Sequence, residues 1–137
     1  MTQRLVELSR GENEFRFKTN GFNRDMSLAS GNQAITNVGF KPSSLILYAS
    51  QPNVAGTTCW GMHGGITSGN LRDQYLGVNG AYAINTVGAV INIRKNAGDT
   101  DGYYGTIVSF DPLGFTIAWT RVGTPTGSFS LNYLAFR

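Results

Sequence analysis

The sequence predicts an all-β protein: a single antiparallel β-sandwich domain, jelly-roll-like, preceded by an extended N-terminal arm. Apolar and polar residues alternate at a period of two along most of the chain, which is the pattern of half-buried strands. The alternating segments are short and are separated by turn residues, with 18 glycines among 137 residues. Charged residues make up only 14 % of the chain, against about 25 % in a typical globular domain.

The expected strands follow one another along the whole chain. The alternation around Phe15 and Phe17 predicts a half-buried first strand. The run 44–50 has apolar residues on both faces, which predicts a central strand. Further strands are predicted at 57–62, 88–95, 103–110, 114–121 and 128–136.

The two strands 103–110 and 114–121 are predicted to form a tight hairpin. Asp111-Pro112-Leu113-Gly114 has proline and glycine where a type I turn favours them. In the last strand Phe129, Leu131 and Tyr133 share one face, but Leu134 and Phe136 fall on the other. Either the end of that strand is buried on both sides, or a β-bulge changes its register.

The pattern changes near residue 30, which predicts an arm or interaction segment at 1–30 and a β-sandwich domain at 31–137. Residues 2–10 suit either a short helix or an extended arm. The glycine-rich stretch 61–69 is predicted to be an exposed loop that carries His63, the single histidine.

The residues that enzymes need are scarce, so we expect no enzyme, no catalytic residue, no cofactor and no metal site. Cys59 and His63 are the only cysteine and histidine. In a strand they would share a face about 13 Å apart, too far for a nucleophile and its base. Asp99 and Asp101 are too few for a calcium loop and suit a turn instead.

Charge and hydropathy argue against two classes of partner. The net charge of +3 is scattered along the chain, whereas nucleic-acid binding favours a basic stripe with aromatic platforms. The apolar runs are only a few residues long, and a membrane-spanning helix needs about 20. We therefore expect neither a nucleic-acid partner nor a membrane partner.

Three short motifs resemble a loose group of bacteriophage and prophage structural proteins. They are Ile35-Thr36-Asn37-Val38-Gly39-Phe40-Lys41-Pro42, the hairpin with Gly114-Phe115-Thr116 and Trp119-Thr120, and the ending Leu131-Asn132-Tyr133-Leu134-Ala135-Phe136-Arg137. The resemblance covers roughly residues 35–137, and it carries over no catalytic residue.

The resemblance implies a virion component, assembled in the host cytoplasm, with a capsid decoration (cement) role favoured over a tail-associated one. Its partners would be the major capsid protein or another virion protein, and copies of itself in a symmetric oligomer, with a trimer favoured. Interface anchors are commonly aromatic or arginine side chains. The candidate contact residues in the arm are Phe15, Phe17, Phe22 and Arg24.

The alternative function is a tail-fibre or receptor-binding module that binds surface glycans. Exposed aromatic rings stack on sugars, although aromatic residues are more often core or interface residues. The candidate glycan-contact residues are Trp60, His63, Tyr75 and Tyr103. A glycan screen separates the two functions, because a pure cement protein binds no sugar.

Overall fold

The computed structural model describes residues 16–51, 57–64, 67–68, 71–75, 82–85, 89–94 and 101–137. Within these ranges every regular element is a β-strand, and the strands form two antiparallel sheets around one core. This confirms the predicted all-β fold of two antiparallel sheets. The jelly-roll subtype stays a prediction.

The described residues contain eleven strands. In chain order they are β1 (Phe17–Asp25), β2 (Gly31–Ile35), β3 (Ser44–Ser50), β4 (Thr57–Gly64), β5 (Thr67–Ser68), β6 (Leu71–Tyr75), β7 (Tyr82–Asn85), β8 (Ile91–Arg94), β9 (Gly102–Asp111), β10 (Gly114–Val122) and β11 (Ser128–Phe136). The seven-stranded sheet has the order β1-β11-β3-β4-β6-β7, with β5 paired to β4. The four-stranded sheet has the order β2-β10-β9-β8.

The core lies between the two sheets and is built from alternate residues of each strand. From the seven-stranded sheet, β3 and β11 bury every second side chain, as the period of two predicts. From the four-stranded sheet, Phe115, Ile117 and Trp119 of β10 are at most 1 % exposed. Aromatic rings meet across the interface: Phe115 packs edge-on against Tyr133 with ring centroids 5.1 Å apart.

Several strand predictions are confirmed closely. The strands β3 and β11 have the predicted bounds, and β9 and β10 form the predicted hairpin, in which Gly114 pairs with Asp111. The register of β11 against β1 and β3 is continuous, so the predicted alternative of a β-bulge at the end of β11 is wrong. Leu134 and Phe136 instead lie half-buried on the outer side of the sheet.

The segment predicted as an arm contains a strand of the sheet. Phe17–Asp25 pairs with β11 along its whole length, and Met26, the next residue, is fully buried in the core. The main-chain N–H of Met26 donates to the Gly127 carbonyl at 2.8 Å, which fixes this end of β1 to the residue before β11. Residues 1–15, with the suggested helix at 2–10, lie outside the described residues.

The prediction of an exposed loop at 61–69 is wrong for its described residues. β4 continues through Gly64, and β5 pairs back onto it. Gly61 is buried, and a Cβ atom there would lie 1.8 Å from the Val90 carbonyl oxygen. The glycine is needed because the chain just before β8 crosses β4 at this point, not because the segment is a loop.

Candidate interaction surface

The candidate site is the outer face of the seven-stranded sheet, which points away from the core. The residues of β1, β3 and β11 that alternate with buried residues point to this side. Among the described residues of these three strands on this face, Asp25 alone is charged. Soluble surfaces commonly carry about 25–35 % charged residues. A nearly uncharged sheet face therefore suits contact with another protein.

Apolar side chains are neighbours on this face because of the strand register. Phe17 is opposite Phe136, and Leu134 is opposite Ile46, which in turn is opposite Met62. Together with Tyr48, they form what we call the outer apolar patch: Phe17, Ile46, Tyr48, Met62, Leu134 and Phe136. Phe17 is 61 % exposed and Met62 is 56 % exposed. Contiguous exposed apolar groups of this kind mark interaction sites, whereas single exposed ones do not.

A shallow hollow of about 490 Å³ lies beside the patch. Ile46, Tyr48, Asn132 and Leu134 are among the residues that line it. Gly21 is also part of its wall, and a Cβ atom there would lie 2.5 Å from the Asn132 side-chain oxygen. The missing side chain at Gly21 therefore leaves space that Asn132 uses. The hollow offers both amide and apolar contacts to a partner's side chain.

Of the four contact residues proposed from the sequence, the three that the structure describes do not share one face of β1. Phe17 belongs to the outer apolar patch. Phe22 points to the opposite side of β1 and packs against the core. Arg24 also points inwards, towards the four-stranded sheet. Phe15 lies outside the described residues. Phe22 and Arg24 therefore pack within the sandwich, and Phe17 alone of the three described residues lies on the outer face of the sheet.

Arg24 is held by aromatic and amide groups at one edge of the sandwich. Its guanidinium donates to the Tyr103 hydroxyl at 2.7 and 3.0 Å and to the Gln33 side-chain oxygen at 2.9 Å. The same Gln33 oxygen accepts a hydrogen bond from the Trp119 indole N–H at 2.8 Å. Three strands of the four-stranded sheet are thus joined to β1 through one cation.

Of the four residues considered for glycan contact, the structure describes the side chains of His63 and Tyr103. Tyr103 is fully buried, so its ring is not accessible to a sugar. His63 lies on the inner side of β4 and packs edge-on against Phe110, with ring centroids 5.2 Å apart. Burial lowers the pKa of His63, and its buried Nδ1 atom has no hydrogen-bond partner among the described residues. The side chains of Trp60 and Tyr75 lie outside the described residues.

Cys59 and Asp111 are bonded within the fold. Cys59 is fully buried, and its sulfur accepts the Asn92 main-chain N–H at 3.3 Å, away from His63. Asp111 accepts hydrogen bonds from the hydroxyls of Ser109 and Thr116 at 2.8 and 2.7 Å, which tie the hairpin together. In the described ranges no three His, Cys, Asp or Glu residues are grouped to hold a metal ion. Those ranges also contain no helix that could cross a membrane.

The three motifs behind the phage resemblance meet at one end of the sandwich. Gly39, with φ of +85°, donates its N–H to the carbonyl of Leu113 in the hairpin turn at 3.1 Å. The Tyr133 hydroxyl of the last motif donates to the Asn37 side-chain oxygen at 2.7 Å. The motifs are therefore packing partners of one another, and what they specify is the joint between the two sheets.

No protein-family model matches this chain, and neither a curated protein nor a solved structure was found to be similar to it.

Most of the outer apolar patch was missed as a site by the sequence reasoning. The signal was present, since Ile46 and Tyr48 in β3, and Leu134 and Phe136 in β11, break the polar side of an alternating strand. The pair in β3 predicted a strand buried on both faces, and the pair in β11 predicted either burial on both sides or a β-bulge. The strand order, which places β3 next to β11, is what joins the two pairs into one surface.

Proposed function

We propose that this chain is a non-enzymatic structural protein of a virus particle, a capsid decoration protein that binds the major capsid protein or another virion protein through its outer apolar patch. The observation that carries the proposal is the contiguous, nearly uncharged patch on a regular seven-stranded sheet. Its phage assignment is supported by the motif resemblance alone.

The chemistry of decoration fits this surface. A cement protein stabilises a capsid by burying surface between neighbouring subunits, so it requires complementary shape and apolar area and no reactive side chain. Burying apolar surface contributes about 25 cal/mol per Å². Because the patch lies on paired strands, little main-chain freedom is lost on binding. A symmetric oligomer would present several such patches at once, and linked contacts strengthen one another.

The direct test is co-sedimentation of the purified full-length chain with capsids of the virus whose genome encodes it. We expect saturable binding at a fixed number of copies per capsid, and an increase in the temperature at which the capsids disassemble. A screen against immobilised glycans is run in parallel. Sugar binding without capsid binding would replace the decoration proposal with the receptor-binding alternative.

A further inference from the structure

The strand β1 forms an edge of the seven-stranded sheet, and nothing in the described residues covers that edge. β1 has nine residues, contains no proline and pairs with β11 without a bulge. Long, regular edge strands are templates for pairing with another chain, and proteins usually shorten, bend or cover them.

The hydrogen-bond pattern shows which main-chain groups of β1 face outwards. Arg137 donates its main-chain N–H to the Arg16 carbonyl at 2.9 Å, and Met26 donates to Gly127. In an antiparallel pair the groups that bond to the neighbour alternate along the strand. The even-numbered residues of β1 therefore bond to β11. The main-chain groups of Thr19, Gly21, Asn23 and Asp25 point away from β11. Two of these groups have local partners: the N–H of Gly21 donates to the Asn20 side chain at 2.8 Å, and the Asp25 carbonyl accepts a long bond of 3.4 Å from the Leu28 N–H.

The β8 edge of the four-stranded sheet, unlike β1, is covered. β8 lies against the inner side of the seven-stranded sheet, and the Asn92 N–H is capped by the Cys59 sulfur at 3.3 Å. The free edge of β2 has only five residues. β7, the other end of the seven-stranded sheet, has four residues. Among these four edges, β1 alone is both long and uncovered by the described residues, which makes it the strand suited to accept another strand.

We propose that β1 pairs antiparallel with β1 of a second copy of this chain, around a two-fold axis at Phe22. In this register outward-facing main-chain groups meet outward-facing groups, because Thr19 pairs with Asp25 and Gly21 pairs with Asn23 of the other copy. Phe22 faces its own equivalent, and Asn20 faces Arg24. Aromatic pairs across strands are favourable.

Like charges disfavour the registers centred on Gly21 and Asn20, and the register centred on Asn23 lacks the Phe22 pair. An axis at Gly21 would place Lys18 opposite Arg24 of the other copy, and an axis at Asn20 would place Arg16 opposite Arg24. Like charges directly opposite one another destabilise a strand pair. The axis at Phe22 is the one of the three that avoids both repulsions. The result is a two-fold dimer in which the two seven-stranded sheets form one continuous sheet.

This inference is independent of capsid binding, because it is measured on the purified full-length chain alone. Light scattering after gel filtration is expected to give twice the chain mass of 14.8 kDa. Thr19→Pro removes an outward N–H that β11 does not use, so it should give a monomer with unchanged circular dichroism. Thr19→Val keeps the N–H and should remain a dimer. A monomeric or trimeric wild type, or a dimer that survives Thr19→Pro, overturns the proposal.

A cross-linking experiment tests the register without relying on the proline variant. Thr19 and Asp25 of the other copy would form a hydrogen-bonded pair with Cα atoms about 5.5 Å apart, within the range for a disulfide. Chains with Thr19→Cys and chains with Asp25→Cys should form a disulfide-linked dimer when mixed, and neither should do so alone. Wild type, with Cys59 buried, is the background control. Failure of the mixture to cross-link under oxidising conditions contradicts this register.

Discussion

The guanidinium carbon of Arg24 lies 4.9 Å from the centre of the Trp119 ring. Arg24 belongs to the seven-stranded sheet. Trp119 is the largest fully buried side chain of the described residues and belongs to the four-stranded sheet. Gln33 accepts hydrogen bonds from both of them. A cation over a tryptophan face is a favourable contact that strengthens as water is excluded. This pair therefore acts as a polar joint between the two sheets.

Replacing Arg24 by methionine should destabilise the fold. The substitution keeps most of the aliphatic packing but removes the hydrogen bonds to Tyr103 and Gln33 and the contact with Trp119. Because Arg24 is half-buried, we expect a loss of about 1–3 kcal/mol in the free energy of unfolding. Urea denaturation followed by tryptophan fluorescence measures it. Lys18→Met removes an exposed cation from the same side of β1 and should change stability by at most about 0.5 kcal/mol; equal losses in the two variants would contradict the joint.

Gly61→Ala should be among the most damaging small substitutions in the chain. Its Cβ atom would lie 1.8 Å from the Val90 carbonyl oxygen, which is main chain and cannot rotate away. Overpacking of a core costs typically about 1–3 kcal/mol and sometimes more. Thermal unfolding compares this variant with Thr106→Ala, an exposed strand position. If Gly61→Ala has the same melting temperature as wild type, the close approach of Gly61 to the Val90 carbonyl is incorrect.

Asn92→Leu is expected to stabilise the protein. Asn92 is fully buried, and among the described residues neither polar atom of its side chain has a hydrogen-bond partner. Leaving a buried polar group unsatisfied costs about 1–3 kcal/mol, and leucine has a similar shape without that cost. The main-chain N–H that bonds to Cys59 is kept in the variant. Chemical denaturation should give a gain of about 1 kcal/mol, and a marked loss would show that the amide makes a needed contact.

Lowering the pH should reduce the stability of wild type more than that of Asp111→Asn, when each protein is compared with its own stability at neutral pH. Hydrogen bonds from Thr116 and then Ser109 lower the pKa of Asp111 in the folded state. Just below the ordinary carboxyl value of about 4, the unfolded chain takes up a proton that the folded one does not. This stabilisation is therefore present above that value and is lost as the pH falls through the lowered folded pKa.

Melting temperatures measured from pH 5 to pH 2 test this sign. The Asp111→Asn variant should show a shallower fall than wild type. Asp25 has a pKa that is lowered in the same direction by Ser27, so replacing both carboxylates should flatten the curve further. Parallel curves for wild type and both variants would show that these hydrogen bonds do not hold the carboxylates ionised.

The sequence predicted strand bounds well where turn residues flank a strand. β3, predicted from an apolar run, and β11, predicted from alternation, were both bounded correctly. The β9–β10 hairpin followed from Asp111 and Pro112, since local turn chemistry fixes which strands pair. In these cases the period of two and the turn contain all the information that the local structure needs.

Features that depend on contacts between distant segments could not be predicted from the alternation of apolar and polar residues. Gly61 looked like a loop glycine because its reason, the Val90 carbonyl, lies almost thirty residues further along the chain. Arg24 looked like a surface cation because its aromatic neighbours come from β9 and β10. The outer apolar patch needed the order β1-β11-β3-β4, which joins the beginning, middle and end of the chain.

The most direct test of the central proposal compares two variants. One carries a new glutamate on the outer face of the seven-stranded sheet, and the other carries it on the four-stranded sheet. Met62, in the outer apolar patch, and Val108, in the four-stranded sheet, are 56 % and 55 % exposed, so Met62→Glu and Val108→Glu are matched variants. Both should fold as wild type does. We expect Met62→Glu to reduce capsid co-sedimentation at least tenfold, because it buries an unpaired charge in the interface, while Val108→Glu binds normally. Equal binding by the two variants would contradict the assignment of the outer apolar patch as the binding surface.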